Sequence, residues 1–283
     1  AQMHVQGSAK YIDDMLEPSG TLHVAFALSE VAHGNIIRID IESAKKADGV
    51  HSVLLAEDIE HLMIGPILHD EPILANNEVL FYGQAIAAVL AETHDQAKKA
   101  ALLVQAKIEE LEAVVTVEQA LEKKSFLDEP IVVSTGDSQA AIKRAKNTLN
   151  GSLSIGGQEH YYLEGQVAIS IPTEDNEMVV HSSTQNPTEV QHLVAHVLDV
   201  PQNAIEVVTR RMGGGFGGKE TDSSQLACIC AIFSKRTLRP VKARLSRKDD
   251  ILLTGKRHDF VAKYEVGYND EGIIQGIEID LAA

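Results

Sequence analysis

The segment Gly213-Gly214-Gly215-Phe216-Gly217-Gly218-Lys219-Glu220 carries the clearest chemical signal in the chain. Five glycines around one Phe let a backbone approach a ligand closely, and a helix expected over 222–235 offers N–H groups to an anion. The loop is therefore expected to hold something flat or anionic. It satisfies G-x-G-x-x-G through Gly213, Gly215 and Gly218. A dinucleotide fold also needs an acidic residue near the end of the next strand, and here that strand, expected at 240–245, runs into Ser246-Arg247. The P-loop pattern fails because Glu220 stands where Ser or Thr would hold magnesium.

A second candidate is Gly-Gly-Gln-Glu-His-Tyr-Tyr-Leu-Glu at 156–164. The carboxamide of Gln158 can donate to an oxo or carbonyl oxygen without titrating, although a turn followed by an edge strand explains the segment equally simply. At 254–258, Arg257 beside a glycine can grip a planar or anionic ligand, and a solvated basic turn is the plainer reading. His192 and His196 share a helix face, but Leu193 follows His192 where a zinc protease has its glutamate, and the other histidines form no ligand-spaced cluster. No protein-ligated metal is expected. Cys228 and Cys230 point to different sides of a helix and read as buried thiols, not a disulfide or a metal cluster.

The elements that must position these residues form a mixed α/β pattern. Apolar runs at 21–28, 36–41, 50–55 and 85–90 predict strands, with a helix over 95–105 capped by Thr93. The polar stretch 122–137 marks a boundary between two units. Strands are expected beyond it at 149–155, 167–171, 177–181, 204–209 and 240–245, with helices over 188–198 and 222–235. A closing hairpin pairs 260–267 with 273–281 across Asn269-Asp270-Glu271-Gly272.

At 283 residues and 44% hydrophobic content, the chain suits two domains. The formal charge of -16 argues against nucleic acid or an anionic membrane and points to a protein partner. No apolar stretch has the length of a membrane span and no leader opens the chain, so a cytoplasmic location is expected. The first residue is not Met, and the last residues stand in an apolar, strand-like run. From these ends we expect a portion of a longer subunit.

Four segments in order, 156–164, Ser-Thr-Gln-Asn-Pro at 183–187, Arg-Met-Gly-Gly-Gly-Phe-Gly-Gly-Lys-Glu at 211–220 and Gly-Lys-Arg-His at 255–258, resemble the molybdenum subunit of the xanthine dehydrogenase and aldehyde oxidase family. Gly-Ser-Ala-Lys-Tyr-Ile-Asp-Asp at 7–14 and Tyr82-Gly83-Gln84 resemble its small α/β hammerhead domain. The resemblance implies a hammerhead-like domain over 1–120, then the first part of a molybdopterin-binding domain over 121–283. It implies a molybdopterin-type molybdenum cofactor held by its own dithiolene, with Gln158 hydrogen-bonding an oxo ligand and Phe216 and Gly217 lying against the cofactor through their backbone. Glu220 would bind a purine and serve the catalysis, since aldehyde oxidases usually carry an apolar residue there; Arg257 receives no role.

The implied reaction is oxidation of hypoxanthine- or xanthine-type purines with water as oxygen source. Electrons would leave through [2Fe-2S] clusters and FAD on other domains or chains, in a hetero-oligomer completed by the remainder of the molybdenum subunit, which carries the general base. By itself the polypeptide is then expected to be inactive. Two other readings stay open: an aldehyde oxidase-type hydroxylase, and a non-catalytic nucleotide-binding or assembly module built on the glycine loop.

Overall fold

A computed structural model describes residues 1–283. The chain divides into two compact units: one of Ala1–Glu112 with His160–Gly255, the other of Ala113–Glu159 with Lys256–Ala283. Both are mixed α/β.

The first unit is built on one seven-stranded mixed sheet. Its strands run, in spatial order, Ile205–Val208, Met178–Ser182, Val167–Pro172, Val241–Arg244, Leu22–Leu28, Ala85–Ala91 and Val50–Leu54. Leu22 lies opposite Val241 in a parallel pair, so residues far apart in sequence form the middle of the sheet. Ala85–Ala91 is buried along its whole length, which accounts for its continuous apolar run. The helix Ser223–Thr237 packs against Val167–Pro172 and the helix Pro187–Leu198 and buries Ile229 and Phe233 in the same core. Cys228 and Cys230 are free and fully buried within it, and burial pushes both thiols well above their ordinary pKa.

The expected strands are present to within a residue or two, and so is the helix at 188–198. The helix expected over 95–105 ends at Ala101 instead, and Gln105–Glu110 is a strand. Its buried face is Ala97, Ala100 and Ala101, whereas Leu102 is exposed and so adds nothing to that face. Thr93 caps it by accepting a hydrogen bond from the Gln96 N–H. Thr93→Ala is expected to remove about 1 kcal/mol of stability, read as a lower denaturant midpoint; an unchanged midpoint would show that the cap contributes nothing.

The second unit pairs Asn147–Ile155, Phe260–Tyr268 and Ile274–Ala282 in an antiparallel sheet. The closing hairpin turns as expected, with the Gly272 N–H donating to the Asn269 carbonyl at 3.0 Å. The helices Val117–Lys123 and Ser138–Arg144 flank the stretch that reads as aperiodic in sequence. Ser138–Arg144 lies over the sheet at Gly267 and Gly276, where a Cβ would come within 2.7 Å of Ala145 Cβ and 2.8 Å of the Ser138 carbonyl oxygen.

Candidate functional site

Phe216, Gly217 and Glu220 occupy one loop of the first unit, between the strand Ile205–Val208 and the helix Ser223–Thr237. The helix starts at Ser223, several residues after the last glycine. Three of the five glycines are explained by the protein's own packing. A Cβ at Gly213, Gly215 or Gly218 would come within 2.5 Å of Glu164 Cβ, Gln185 Oε1 or His160 Nδ1 respectively. Gly217 takes φ +97° and Phe216 φ +56°, a left-handed turn that costs a bulky residue strain and requires support from its surroundings. Phe216 is nevertheless 74% exposed.

Beneath the loop lies a buried ion pair. The Lys219 side chain is 0% exposed, with Nζ 3.2 Å from Glu164 Oε2 and 2.8 Å from Ser183 Oγ. Burial pulls the Lys219 pKa below its ordinary value, and Glu164 pulls it back. Glu164 Oε2 also accepts from the Gly213 N–H at 2.7 Å and the Ser183 hydroxyl at 2.6 Å. A second buried carboxylate, Asp250, accepts from the Tyr162 hydroxyl at 2.6 Å and the Gln166 N–H at 2.8 Å, while the Gln166 carboxamide donates to the Gly218 carbonyl. Burial, then the bond to Asp250, holds the Tyr162 phenol protonated well past its usual range. Tyr162 and Glu164 of the 156–164 segment are therefore supports for the loop.

Among the backbone N–H groups of 216–220, Phe216's alone has no acceptor in the chain. Gly217 and Lys219 donate to Gln185 Oε1, Gly218 to the Gly215 carbonyl and Glu220 to the Gly217 carbonyl. The Glu220 side chain is exposed and bonds to nothing in the chain. It raises the pKa of Glu189, second to burial. A cavity of about 440 Å³ is lined by Thr221 and Asp222 with Glu71, Gln84, Leu80 and Phe81. Burial, then Asp222 and Asp70, raises the Glu71 pKa. A larger cavity of about 570 Å³, at Phe26, Tyr82 and Leu252, touches none of Gln158, Phe216, Gly217 and Glu220.

Gln158 lies in the second unit, where its backbone is paired on both sides with Arg257, N–H to carbonyl, at 3.0 and 3.1 Å. Its carboxamide is exposed and bonds to nothing in the chain. Arg257 donates to the carbonyls of Gly156 and His258, which makes it a structural partner of the Gln158 segment. Within the first unit the Phe216 N–H, and within the second unit the Gln158 carboxamide, is a donor that no protein atom satisfies, and a donor of either kind suits the oxygen atoms of a molybdopterin cofactor.

His192 is exposed. His196 meets His69 and His61, with ring centroids 4.4 and 5.1 Å apart. Burial first, then the neighbouring His69 and His61, lowers the His196 pKa, with a bond to Met63 and the charge of Asp199 opposing. The folded state thus binds fewer protons there than the unfolded chain, so stability is intact above about pH 6.5 and falls as the pH drops below it. His196→Gln should flatten that fall between pH 7 and 5 in denaturant titrations; parallel curves would rule the ring out as its source.

Residues 122–283 match the family model for the molybdopterin cofactor-binding domain, and residues 6–112 match that for the a/b hammerhead domain of aldehyde oxidase and xanthine dehydrogenase. The chain belongs to the aldehyde oxidase and xanthine dehydrogenase family. Among its curated relatives, the xanthine dehydrogenase of Dictyostelium discoideum is 40% identical over 284 residues, 100% of this chain and 21% of that protein. The xanthine dehydrogenase/oxidase of Rattus norvegicus is 40% identical over 280 residues, 99% of this chain and 21% of that protein. The chain thus spans about a fifth of the length of these relatives.

Two solved structures share the fold. Quinoline 2-oxidoreductase from Pseudomonas putida 86 has a TM-score of 0.88 at 25% identity, covering 99% of this chain and 38% of its own. The aldehyde oxidoreductase of Desulfovibrio gigas has a TM-score of 0.86 at 27% identity, covering 99% and 33%. The brace of Glu164, Ser183 and Lys219 is absent from the sequence expectations. Its only signal there is a run of charged and hydroxylated residues inside otherwise apolar or glycine-rich segments.

Proposed function

We propose that this chain provides cofactor- and substrate-facing loops of a molybdenum hydroxylase that oxidises hypoxanthine- or xanthine-type purines, with water as the oxygen source. The observation that carries the reading is the loop at 216–220. It offers one unsatisfied N–H at Phe216 and one unbonded carboxylate at Glu220, on a backbone anchored by a buried ion pair.

The molybdenum cofactor, when bound, supplies the two-electron oxidation. Gln158 would donate its carboxamide to an oxygen of the cofactor without changing charge, and Phe216 would donate its N–H while Gly217 would let the backbone come close. Glu220 accepts from a ring N–H of the purine, orienting the carbon to be oxidised. The division into a hammerhead-like domain over 1–120 and the first part of a molybdopterin-binding domain over 121–283 is supported by the matched ranges 6–112 and 122–283.

Iron–sulfur clusters and FAD on other domains or chains carry the electrons away, in a hetero-oligomer that includes the remainder of the molybdenum subunit. A cytoplasmic location belongs to the same reading; no helix is long and apolar enough to cross a membrane. The likeness to an aldehyde oxidoreductase favours a second reading, an aldehyde substrate. Glu220 opposes it, because a simple aldehyde offers no ring N–H for a carboxylate to accept from, whereas a purine does.

The test is metal analysis of the purified protein with intact masses of every co-purifying chain, followed by turnover of purines against aldehydes. Stoichiometric molybdenum with purine turnover supports the reading. Molybdenum with aldehyde turnover alone selects the second, and absence of molybdenum refutes both.

A further inference from the structure

The Ser-Thr-Gln-Asn-Pro segment at 183–187 has no role in the reading above, yet four of its residues reach the glycine loop or a neighbouring helix end. Ser183 Oγ donates to Glu164 and accepts from Lys219 Nζ. Thr184 Oγ1 donates to the Lys219 carbonyl at 3.1 Å. The Gln185 N–H donates to that same carbonyl at 2.7 Å, and Gln185 Oε1 accepts from the N–H groups of Gly217 at 2.8 Å and Lys219 at 3.4 Å. Asn186 caps the helix Pro187–Leu198 by accepting from the Glu189 N–H at 3.2 Å. One end of the segment is thus tied to a helix and the other to the loop.

We propose that 183–187 is the brace of the 213–220 loop and that Gln185 is its positioning residue, deciding which backbone donor the loop presents. This rests on the molybdenum hydroxylase reading. Gln185 occupies the Gly217 N–H, so that group is not offered to a ligand, while Phe216's is. The expectation that Phe216 and Gly217 both face the cofactor is thereby sharpened: Phe216 donates, and Gly217 contributes only its left-handed turn and lack of a side chain. Gly215 is required beside it because a Cβ there would stand 2.5 Å from Gln185 Oε1.

Only the oxygen of the Gln185 carboxamide is used, and the residue is exposed. Gln185→Glu therefore keeps both acceptor bonds, whereas Gln185→Leu removes them without opening a cavity in the core. The experiment uses the purified protein with all of its co-purifying chains. Hydrogen exchange is followed in the peptide covering 211–220, with kcat, KM and the Mo(V) EPR signal measured in parallel.

For Gln185→Leu, the Gly217 and Lys219 amides should exchange about five- to tenfold faster, with other regions unchanged. In the same variant kcat should fall about tenfold or more with an altered EPR signal. Gln185→Glu should match wild type within about threefold on each measure. Wild-type exchange in Gln185→Leu overturns the brace, faster exchange with native kcat and signal overturns the positioning role, and a Gln185→Glu variant as impaired as Gln185→Leu overturns the acceptor assignment. If the native protein holds no molybdenum, the hydroxylase reading fails by itself, and the exchange measurements still decide the brace.

Discussion

Lys219→Met is expected to destabilise the first unit by about 3–5 kcal/mol, because it leaves a buried carboxylate without its cation. Lys219 has no exposed surface and Glu164 only 11%, so solvent does not screen the loss. Glu164 Oε2 would keep only the neutral donors of Gly213 and Ser183. Methionine preserves most of the stem's volume, which limits the cavity contribution. Adding Glu164→Gln should recover part of the loss, since glutamine still accepts from both neutral donors and carries no charge. Guanidinium unfolding of Lys219→Met, Glu164→Gln, the double variant and the wild type measures the coupling. A single variant within about 1 kcal/mol of wild type, or a double variant no better than the single one, would disprove the ion-pair argument.

Glu220→Ala has the largest expected effect on turnover. Under the proposed function, loss of charge-assisted hydrogen bonds to a purine lowers kcat/KM about ten- to a hundredfold. Molybdenum content and folding should be unaffected, because the Glu220 side chain is exposed and supports nothing else in the chain. Turnover of a small aldehyde, which makes no such bonds, should not fall. Steady-state kinetics on both substrate classes with metal analysis of the variant separates the cases. Undiminished purine oxidation would remove Glu220 from the substrate site.

Much of the local structure is legible in sequence because it depends on neighbours in sequence. The strand at 85–91, the Thr93 cap, the turn at 269–272 and the buried thiols all follow from periodicity, side-chain chemistry and glycine placement. The short helix Arg247–Leu253 is not predicted, although Ser246 caps it by accepting from the Asp249 N–H at 3.2 Å. Strand order is hidden for a different reason: alternation shows that Leu22–Leu28 is a strand, but not that Val241–Arg244 lies beside it.

For the site, the glycine loop and its exposed residues stand out by composition. The supports do not, since Glu164 and Lys219 become a pair only once the fold brings together positions 55 residues apart. Ser-Thr-Gln-Asn-Pro is recognisable as a pattern, but its use as an acceptor for backbone amides depends on the loop's left-handed turn.

The order of segments in the two units sets a schedule for synthesis. Asn147–Ile155 emerges early, but its pairing partner Phe260–Tyr268 follows only after all of His160–Gly255. At about 5–20 residues per second, translating the roughly hundred intervening residues takes about 5–20 s. Through that interval Leu149, Leu153 and Ile155 sit on a nascent strand with open hydrogen-bonding edges, while the intervening residues complete the first unit. The strand left waiting for its partner on the ribosome is therefore the one that leads into Gln158.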